Sequence, residues 1–404
     1  MKRIYLDTAA GTPLEKKVQQ RMRPLLEKNF GNPSSIYSEG VLARHQVELA
    51  RKQIAKTLSV RSAEIFFVGG GTEANNLAIL GTAYAYEEKF KQPGHIITTK
   101  IEHHSVLAPI QSLIKKGWTV SYLPVNKVGL IEPKDLAKIL TKQTALVSIG
   151  YVNNEIGVIA PLNKIARVIR QWRSSQSINN DQDKLYPYFH TDACQASRFL
   201  PLEPLSLGVD LMTVNAAKMY GPKGVGFLYK KKDLDLKSIV FGGGQESGLR
   251  SGTENVAGIV GLAEALLISD KKRQSENKYL LNLRNFLIAQ ILGSVSQVTL
   301  NGDREARIAN NANFSFSGVD AELLVIELDA KGIACSTGSA CSNREKNESH
   351  VLIALDDKNI SVESIRFTLG RDITKRQIKY LIKVLLPLVE KLRQASVLQE
   401  SFKS

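Results

Sequence analysis

The sequence predicts an α/β protein whose larger part is a mostly parallel β-sheet with helices on both faces. Strand-length segments such as 95–99, 145–150 and 211–214 are nearly continuous apolar runs, and helical segments alternate with them. Uninterrupted apolar strands are typical of parallel sheets that are buried on both sides. The length of 404 residues exceeds what one hydrophobic core usually serves, so we also expect a second, smaller domain.

The elements follow from apolar runs that end at glycine- and proline-rich turns. The predicted strands of the larger part are 4–6, 64–68, 95–99, 119–123, 145–150, 188–191 and 211–214. The predicted helices are 14–28, 40–58, 105–116, 133–140 and 161–172. Residues 174–184 are polar and predict a surface loop. A long helical region at 255–292 leads to short strands at 313–316, 333–335 and 364–368 and to a last helix at 375–395.

Composition excludes several function classes. The net charge of +15 is spread over predicted helices without a basic run interleaved with aromatic residues, so a generally basic surface is favoured and direct nucleic-acid binding is not expected. The longest nearly apolar run, 257–268, contains Glu264 and is too short to cross a membrane. The N-terminal residues show no secretion or transit signal, and three cysteines provide no disulfide framework, so we expect a cytoplasmic protein.

One lysine, Lys218, lies between small residues and the turn Gly221–Gly226, directly after a predicted strand. A lysine that is held in a cavity has a lowered pKa and can form a Schiff base with an aldehyde. The alternative is an ordinary surface lysine, and the segment alone leaves both open.

Further candidate site residues follow predicted strands. In mostly parallel sheets, ligands bind at the carboxyl ends of the strands. A pyridoxal phosphate enzyme needs a Schiff-base lysine, a carboxylate for the ring nitrogen, a phosphate cradle and a flat group over the ring. Lys218, Asp192, Gly71 with Thr72 at a helix start, and His103 can fill these roles in that order. Each residue also has an ordinary explanation, such as a helix cap for Asp192, and the hypothesis depends on their joint placement at strand ends.

Ordered segments from Ile4 to about Leu392 resemble the cysteine desulfurases of the NifS/IscS kind, which are class-V aminotransferases among the fold-type-I pyridoxal phosphate enzymes. The segments are YLDTAAGTPL at Tyr5, FGNPSS at Phe30, GGGTEANNLAI at Gly69, KIEHHSVL at Lys100, VNNEIGV at Val152, HTDACQA at His190, AAKMYGPKGVG at Ala216, GGGQESGLRSGT at Gly242, STGSACS at Ser336 and SIRFTLGR at Ser364. The resemblance implies a homodimer that binds pyridoxal 5'-phosphate and L-cysteine. It also implies a large cofactor-binding domain at 13–263 and a smaller α+β domain at 264–404 that includes 1–12.

The resemblance assigns a role to each candidate. The residues that would carry the chemistry are Lys218, His103 and Cys341. The residues that would hold the cofactor are Gly71, Thr72, His103, Asn154, Asp192, Gln195, Asn215, Lys218 and, from the other subunit of a homodimer, Thr253. The residues that would bind the substrate are Arg366, Asn32 and Asn154. Arginine suits a carboxylate because its planar head donates two parallel hydrogen bonds.

Cys341 would be the nucleophile. The small and polar residues around it predict a mobile loop, and a free thiol there is strongly nucleophilic. Its attack on the sulfur of cysteine would leave a persulfide, which acceptor proteins would take for iron–sulfur cluster assembly or for thiolation of cofactors and tRNA. No resident metal is expected, and the resemblance leaves open a transient iron–sulfur cluster at Cys341. Of the other two cysteines, Cys335 is expected in the core and Cys194 beside the site.

Two departures from the family pattern leave alternatives open. The family usually has Ser-x-His before the cofactor lysine, and this chain has Asn215, Ala216 and Ala217, which predicts weaker cofactor retention or slow turnover. The tail at 396–404 is shorter than the tail that iron–sulfur scaffolds engage, which favours an accessory desulfurase with another acceptor. The alternatives are a selenocysteine lyase, which needs no thiol at Cys341, and a partner-binding protein on a decayed desulfurase fold.

Overall fold

The structure is a computed structural model that describes residues 3–176, 186–338, 348–355 and 364–401, the last helix without side chains beyond residue 396. The strands are β1 Ile4–Tyr5, β2 Ile65–Val68, β3 His95–Thr98, β4 Thr119–Tyr122, β5 Thr144–Ser148, β6 Tyr188–Asp192, β7 Leu211–Asn215, β8 Gly226–Lys230, β9 Val298–Leu300, β10 Asn311–Phe316, β11 Ile333–Ala334, β12 Ser336–Thr337 and β13 Ile365–Thr368. The helices are α1 Lys16–Glu27, α2 Ser38–Thr57, α3 Gly71–Phe90, α4 His104–Ile114, α5 Pro133–Ile139, α6 Leu162–Gln176, α7 Pro204–Leu207, α8 Val256–Ser294, α9 Ala321–Ala330, α10 His350–Ala354 and α11 Lys375–Ser401.

The central sheet has seven strands in the order β2-β8-β7-β6-β5-β3-β4. Strands β3 to β7 pair in parallel, and β8 runs antiparallel to both of its neighbours. The predicted α/β fold with a mostly parallel sheet is therefore confirmed. Strand β8 was not predicted, because it follows the glycine turn after Lys218 almost at once.

Each face of this sheet packs into its own hydrophobic core. In β2, Ile65 and Phe67 belong to one core, and Phe66 and Val68 belong to the other. Successive side chains of a strand point to opposite faces, so a strand that is covered on both sides must be apolar at every position. This is the physical reason for the uninterrupted apolar runs of the sequence.

The C-terminal part has an antiparallel sheet in the order β12-β13-β10-β9, and β1 pairs in parallel with β11. The 39-residue helix α8 runs through positions 263 and 264 without a break, so the expected domain boundary falls inside one helix. Strand β9 and helix α9 were not predicted. Helix α6 extends to Gln176, into the predicted loop 174–184, whose remainder lies outside the described residues. No helix of the described ranges is long and apolar enough to span a bilayer.

Candidate active site

The carboxyl ends of the parallel strands border a cavity of about 410 Å³. Its volume lies in the range of small-molecule and cofactor sites. Nine of the predicted site residues line it: Gly71, Thr72, His103, Asn154, Asp192, Gln195, Asn215, Lys218 and Arg366. The structure therefore brings together residues that are up to about three hundred positions apart in the sequence. This is expected for a ligand site at the carboxyl ends of the strands of an α/β sheet.

Lys218 lies in a short helical turn at 216–218 that follows β7. Its Nζ donates to the carbonyl oxygens of Ala9 and Ala10, at 2.8 Å each. The turn requires glycine at 221, because a Cβ there would lie 2.8 Å from the Ala216 side chain. The lysine amine is thereby directed toward the cavity and the N-terminal segment.

Asp192, at the end of β6, is held by two donors. The backbone N–H of Cys194 donates to its Oδ1 at 2.9 Å, and Nδ2 of Asn75 donates to its Oδ2 at 2.6 Å. The Asn75 amide nitrogen also donates to Ser105 Oγ at 2.8 Å. This network fixes a carboxylate inside the cavity, where it can pair with a cationic ring nitrogen.

His103 is the N-cap of α4, and its Nδ1 accepts from the backbone N–H of Ser105 at 3.1 Å. Burial, together with the positive charge of Lys218, lowers the pKa of His103 against the opposing effect of Asp192. The ring is therefore neutral at pH 7, and because Nδ1 is an acceptor, its proton is on Nε2. A neutral flat ring of this kind can stack on a cofactor ring.

The first turn of α3 forms the candidate phosphate cradle. Gly70 has a φ of +152°, which glycine adopts readily, and α3 begins at Gly71. A Cβ at Gly71 would lie 2.8 Å from Cys194 Sγ and 3.6 Å from Asn215 Nδ2, so the amide of Asn215 lies against the start of this helix. The unpaired N–H groups of a helix start bind phosphate, and Asn215 adds a side-chain donor.

Arg366, in β13, is buried and lines the cavity. Its Nη1 donates to the carbonyl oxygen of Asn154, and its Nη2 donates to Oδ1 of Asp7, both at 2.9 Å. These two partners orient the guanidinium group, and each terminal nitrogen retains a second N–H. The group can therefore still bind a substrate carboxylate.

Two of the predicted residues that the structure describes do not line the cavity. Asn32 is exposed, and its Oδ1 caps the backbone N–H of Ser34. Thr253 is also exposed. Its expected contact is with the cofactor of the other subunit of a homodimer. Cys341 lies outside the described residues. Cys194 lines the cavity, and Cys335 is buried, as expected for both.

Several site residues were missed by the sequence reasoning. Asp7, Asn75 and Ser105 orient Arg366, Asp192 and His103, but asparagine and serine near a helix start resemble ordinary surface residues. Glu102 and Glu155 were inside quoted segments, yet nothing in the sequence indicated their burial. Burial raises the pKa of each to about 7; the Asp192 charge adds to this at Glu102, and Ser349 and Arg366 oppose it at Glu155.

The fold and the cavity together define a pyridoxal phosphate enzyme of fold type I. Residues 4–381 match the family Aminotransferase class-V, so the chain belongs to that family, and within it to the cysteine desulfurases of the NifS/IscS kind. A "Cysteine desulfurase IscS" of Dictyoglomus turgidum is 44% identical over 408 residues, which cover 100% of this chain and 99% of the relative.

Two solved structures support the same family. A structure described as "NIFS-LIKE PROTEIN" superposes with a TM-score of 0.87 at 32% identity and covers 96% of this chain and 99% of its own. A second, described as "SspA in complex with cysteine", has a TM-score of 0.76 at 31% identity and covers 91% of this chain and 98% of its own.

The two described cysteines should resist alkylation in the folded protein. Burial raises the pKa of Cys194 well above its usual value and that of Cys335 to about 12. Both thiols are therefore protonated at about pH 8, where a free cysteine is partly thiolate. Peptide mass spectrometry after iodoacetamide treatment should find both unmodified, whereas the denatured chain should be modified at all three cysteines. Modification of Cys194 or Cys335 in the folded protein would contradict the structure.

Proposed function

We propose that this chain is a cysteine desulfurase that uses pyridoxal phosphate to convert L-cysteine to L-alanine and leaves a persulfide on Cys341. The observation that carries the proposal is a single cavity lined by the amine of Lys218, the fixed carboxylate of Asp192 and the guanidinium of Arg366. The relatives with this name match over the whole chain, which supports the same activity here.

The residues present fit the cofactor. Lys218 would hold it through its amine, Asp192 would pair with the ring nitrogen, and His103 would stack on the ring. The start of α3 and Asn215 would bind the phosphate, while Asn154 and Gln195 would contact the ring and its hydroxyl. Pyridoxal phosphate, when bound, supplies an electron sink next to the α-carbon of an amino acid.

Arg366 would bind the carboxylate of L-cysteine, and its contacts to Asp7 and Asn154 already fix its orientation. A preorganised arginine loses little freedom when it pairs with a carboxylate. Asn154 and Asn32, the latter in the segment FGNPSS, are the further substrate residues that the resemblance implies. Asn32 is exposed and is not among the residues that line the cavity with Arg366.

The sulfur transfer is balanced without an external oxidant. The thiolate of Cys341 attacks the substrate sulfur; the carbon–sulfur bond of L-cysteine breaks as the new sulfur–sulfur bond forms. The carbon takes up a proton, which gives L-alanine, and Cys341 retains the persulfide. Lys218 and His103 are the nearby groups that can hold or move protons at Nζ and Nε2.

A homodimer is part of the proposal. Large apolar side chains are exposed to solvent in two segments of the chain. In the first, Phe30 and Ile36 are 84% and 91% exposed, and in the second, Phe241 is 85% exposed. Burial of such side chains against a second protein would remove their apolar surface from water. A second copy of the chain would cover them and would bring its own Thr253 to the phosphate.

We further propose that the protein acts in the cytoplasm and passes sulfur to acceptor proteins, for iron–sulfur cluster assembly or thiolation. The free thiols of Cys194 and Cys335 suit a reducing compartment. L-Cysteine and the acceptors are the expected partners, and direct nucleic-acid binding is not part of the proposal.

Replacing the nucleophile and the cofactor lysine tests the reaction. Cys341→Ala and Lys218→Ala should each lower alanine release from L-cysteine by about 10²–10⁴-fold, because each removes a group that reacts or moves a proton. Alanine and sulfide are measured with added cofactor and a reductant. A Cys341→Ala variant that still releases alanine from L-selenocysteine at the wild-type rate would favour the selenocysteine lyase. A wild-type protein that releases neither alanine nor sulfide would favour a partner-binding protein on a decayed desulfurase fold.

Replacing Asn215 tests the phosphate cradle. Asn215→Ala should weaken cofactor binding by roughly ten- to a hundredfold, because a hydrogen bond to a charged group contributes about 1.5–3 kcal/mol. Cofactor absorbance after equilibrium dialysis measures the affinity. Asn163→Ala, an exposed position on α6, is the matched control and should bind like wild type. Equal affinity of both variants would remove Asn215 from the cradle.

Introducing a charge into the exposed apolar segments tests the homodimer. Phe241→Asp should shift the protein from dimer to monomer and should also weaken cofactor binding, because the partner's Thr253 would be lost from the site. Sedimentation velocity measures the mass. Leu205→Asp, at a leucine that is 68% exposed on α7, should remain dimeric. A monomeric wild-type protein that retains the cofactor would contradict the proposal.

A further inference from the structure

An ion pair connects the first turn of α3 to a segment far along the chain. Glu73 lies in this turn, and Arg250 follows it by 177 positions. Arg250 Nε donates to Glu73 Oε1 at 2.7 Å, and its Nη2 donates to Oε2 at 3.3 Å. The two side chains are only 25% and 24% exposed, so water screens them less than an ordinary surface pair. Two hydrogen bonds from one planar guanidinium therefore hold the carboxylate in one orientation.

The same carboxylate holds the turn that leads into the candidate phosphate cradle. The backbone N–H of Gly69 donates to Glu73 Oε2 at 2.9 Å. A Cβ at position 69 would lie 2.7 Å from that oxygen, so glycine is required there to leave room for the carboxylate. The chain then passes through Gly70 and enters α3 at Gly71. Glu73 therefore fixes the backbone just before the N–H groups that would bind the phosphate.

Arg250 is held in place by its own segment of the chain. The preceding residue, Leu249, is 7% exposed and belongs to the same hydrophobic core as Val68 at the end of β2. The backbone N–H of the following residue, Ser251, donates to the carbonyl oxygen of Val240 at 3.3 Å. The residues on either side of Arg250 are thus anchored, one in the core and one by a backbone hydrogen bond. The guanidinium is therefore presented to Glu73 from a fixed backbone.

Glu73 brings a negative charge close to the place where the phosphate would bind. Gly71 and Thr72, the two residues before it, line the cavity, whereas Glu73 and Arg250 do not. A negative side chain in the first turn stabilises a helix, but it repels a second anion that binds the same helix start. A phosphate monoester carries a charge of about −1.5 to −2 at pH 7, so this repulsion would be substantial. Because Arg250 pairs with Glu73, its positive charge offsets the repulsion.

We propose that Glu73 and Arg250 are positioning residues of the phosphate cradle: Glu73 holds the turn at Gly69, and Arg250 offsets the negative charge that Glu73 brings to the cradle. The inference rests on the proposed function, in which the start of α3 binds the phosphate of pyridoxal phosphate. Arg250 should then matter for the phosphate group of the cofactor and not for its ring. Loss of Arg250 alone should also weaken binding more than the loss of both charges.

The test measures the affinity of the full-length protein for pyridoxal 5'-phosphate and for pyridoxal, which lacks the phosphate group. Equilibrium dialysis with ligand absorbance gives both dissociation constants. Arg250→Gln should raise the Kd for pyridoxal 5'-phosphate by about tenfold or more, because it leaves Glu73 unpaired beside the phosphate. The Kd for pyridoxal should stay within about threefold. Arg61→Gln breaks a more exposed ion pair with Glu64 before β2 and is the matched control, with both constants unchanged.

Two further variants separate the effect of charge from general damage. Arg250→Lys retains the positive charge and should keep the Kd for pyridoxal 5'-phosphate within about threefold of wild type. Glu73→Gln combined with Arg250→Gln removes both charges, while the amide oxygen can still accept from Gly69. This double variant should also bind within about threefold of wild type, because the two substitutions act on one interaction.

Several outcomes would overturn the inference. Wild-type affinity for pyridoxal 5'-phosphate in Arg250→Gln is one. An equal loss for both ligands is another, since it indicates a structural role alone. A tenfold loss in the double variant would also overturn it, even if Arg250→Gln does not fold. A wild-type protein that binds no pyridoxal 5'-phosphate would instead overturn the proposed function.

Discussion

The N-terminal segment Asp7–Thr12 contacts both Arg366 and Lys218, which belong to different parts of the fold. Asp7 pairs with Arg366, which belongs to the antiparallel C-terminal sheet. The carbonyl oxygens of Ala9 and Ala10 accept from Lys218, which follows a strand of the central sheet. Because charged and buried groups need fixed partners, these few hydrogen bonds determine how the candidate substrate arginine lies relative to the candidate cofactor lysine. A cavity between two sheets becomes a reaction site only if that relation is held.

The ionisable side chains of the cavity either have a hydrogen-bonding partner or are kept wholly or partly neutral by burial. Asp192 is held by Asn75 and a backbone N–H, and His103 remains neutral because burial and Lys218 disfavour its protonation. Burial raises the pKa of Glu102 and Glu155 to about 7, so neither carboxyl group is fully ionised at pH 7. The positive charge of Arg366 favours an incoming carboxylate, and the N–H groups at the start of α3 favour a negatively charged phosphate.

Much of the fold could be predicted because many of its strands and helices are determined by short segments of the sequence. Strands such as β5 and β7 are apolar at nearly every position, and the glycine turn before α3 marks a strand followed by a helix. The antiparallel β8 and the short β9 could not be predicted, since their pairing depends on distant strands. The same limit holds at the site: Lys218, Asp192 and His103 stand out at strand ends, whereas the contact of Asp7 with Arg366 and the burial of Glu155 arise only from the tertiary structure.

The proposed function depends on the transfer of sulfur from L-cysteine in this cavity to Cys341. Mass spectrometry of the cofactor-loaded protein after one equivalent of L-cysteine, without reductant, measures this transfer. We expect that the peptide containing Cys341 gains the mass of one sulfur atom while one equivalent of alanine appears and the peptides of Cys194 and Cys335 are unchanged. Alanine without added sulfur on Cys341, or sulfur on either buried cysteine, would contradict it.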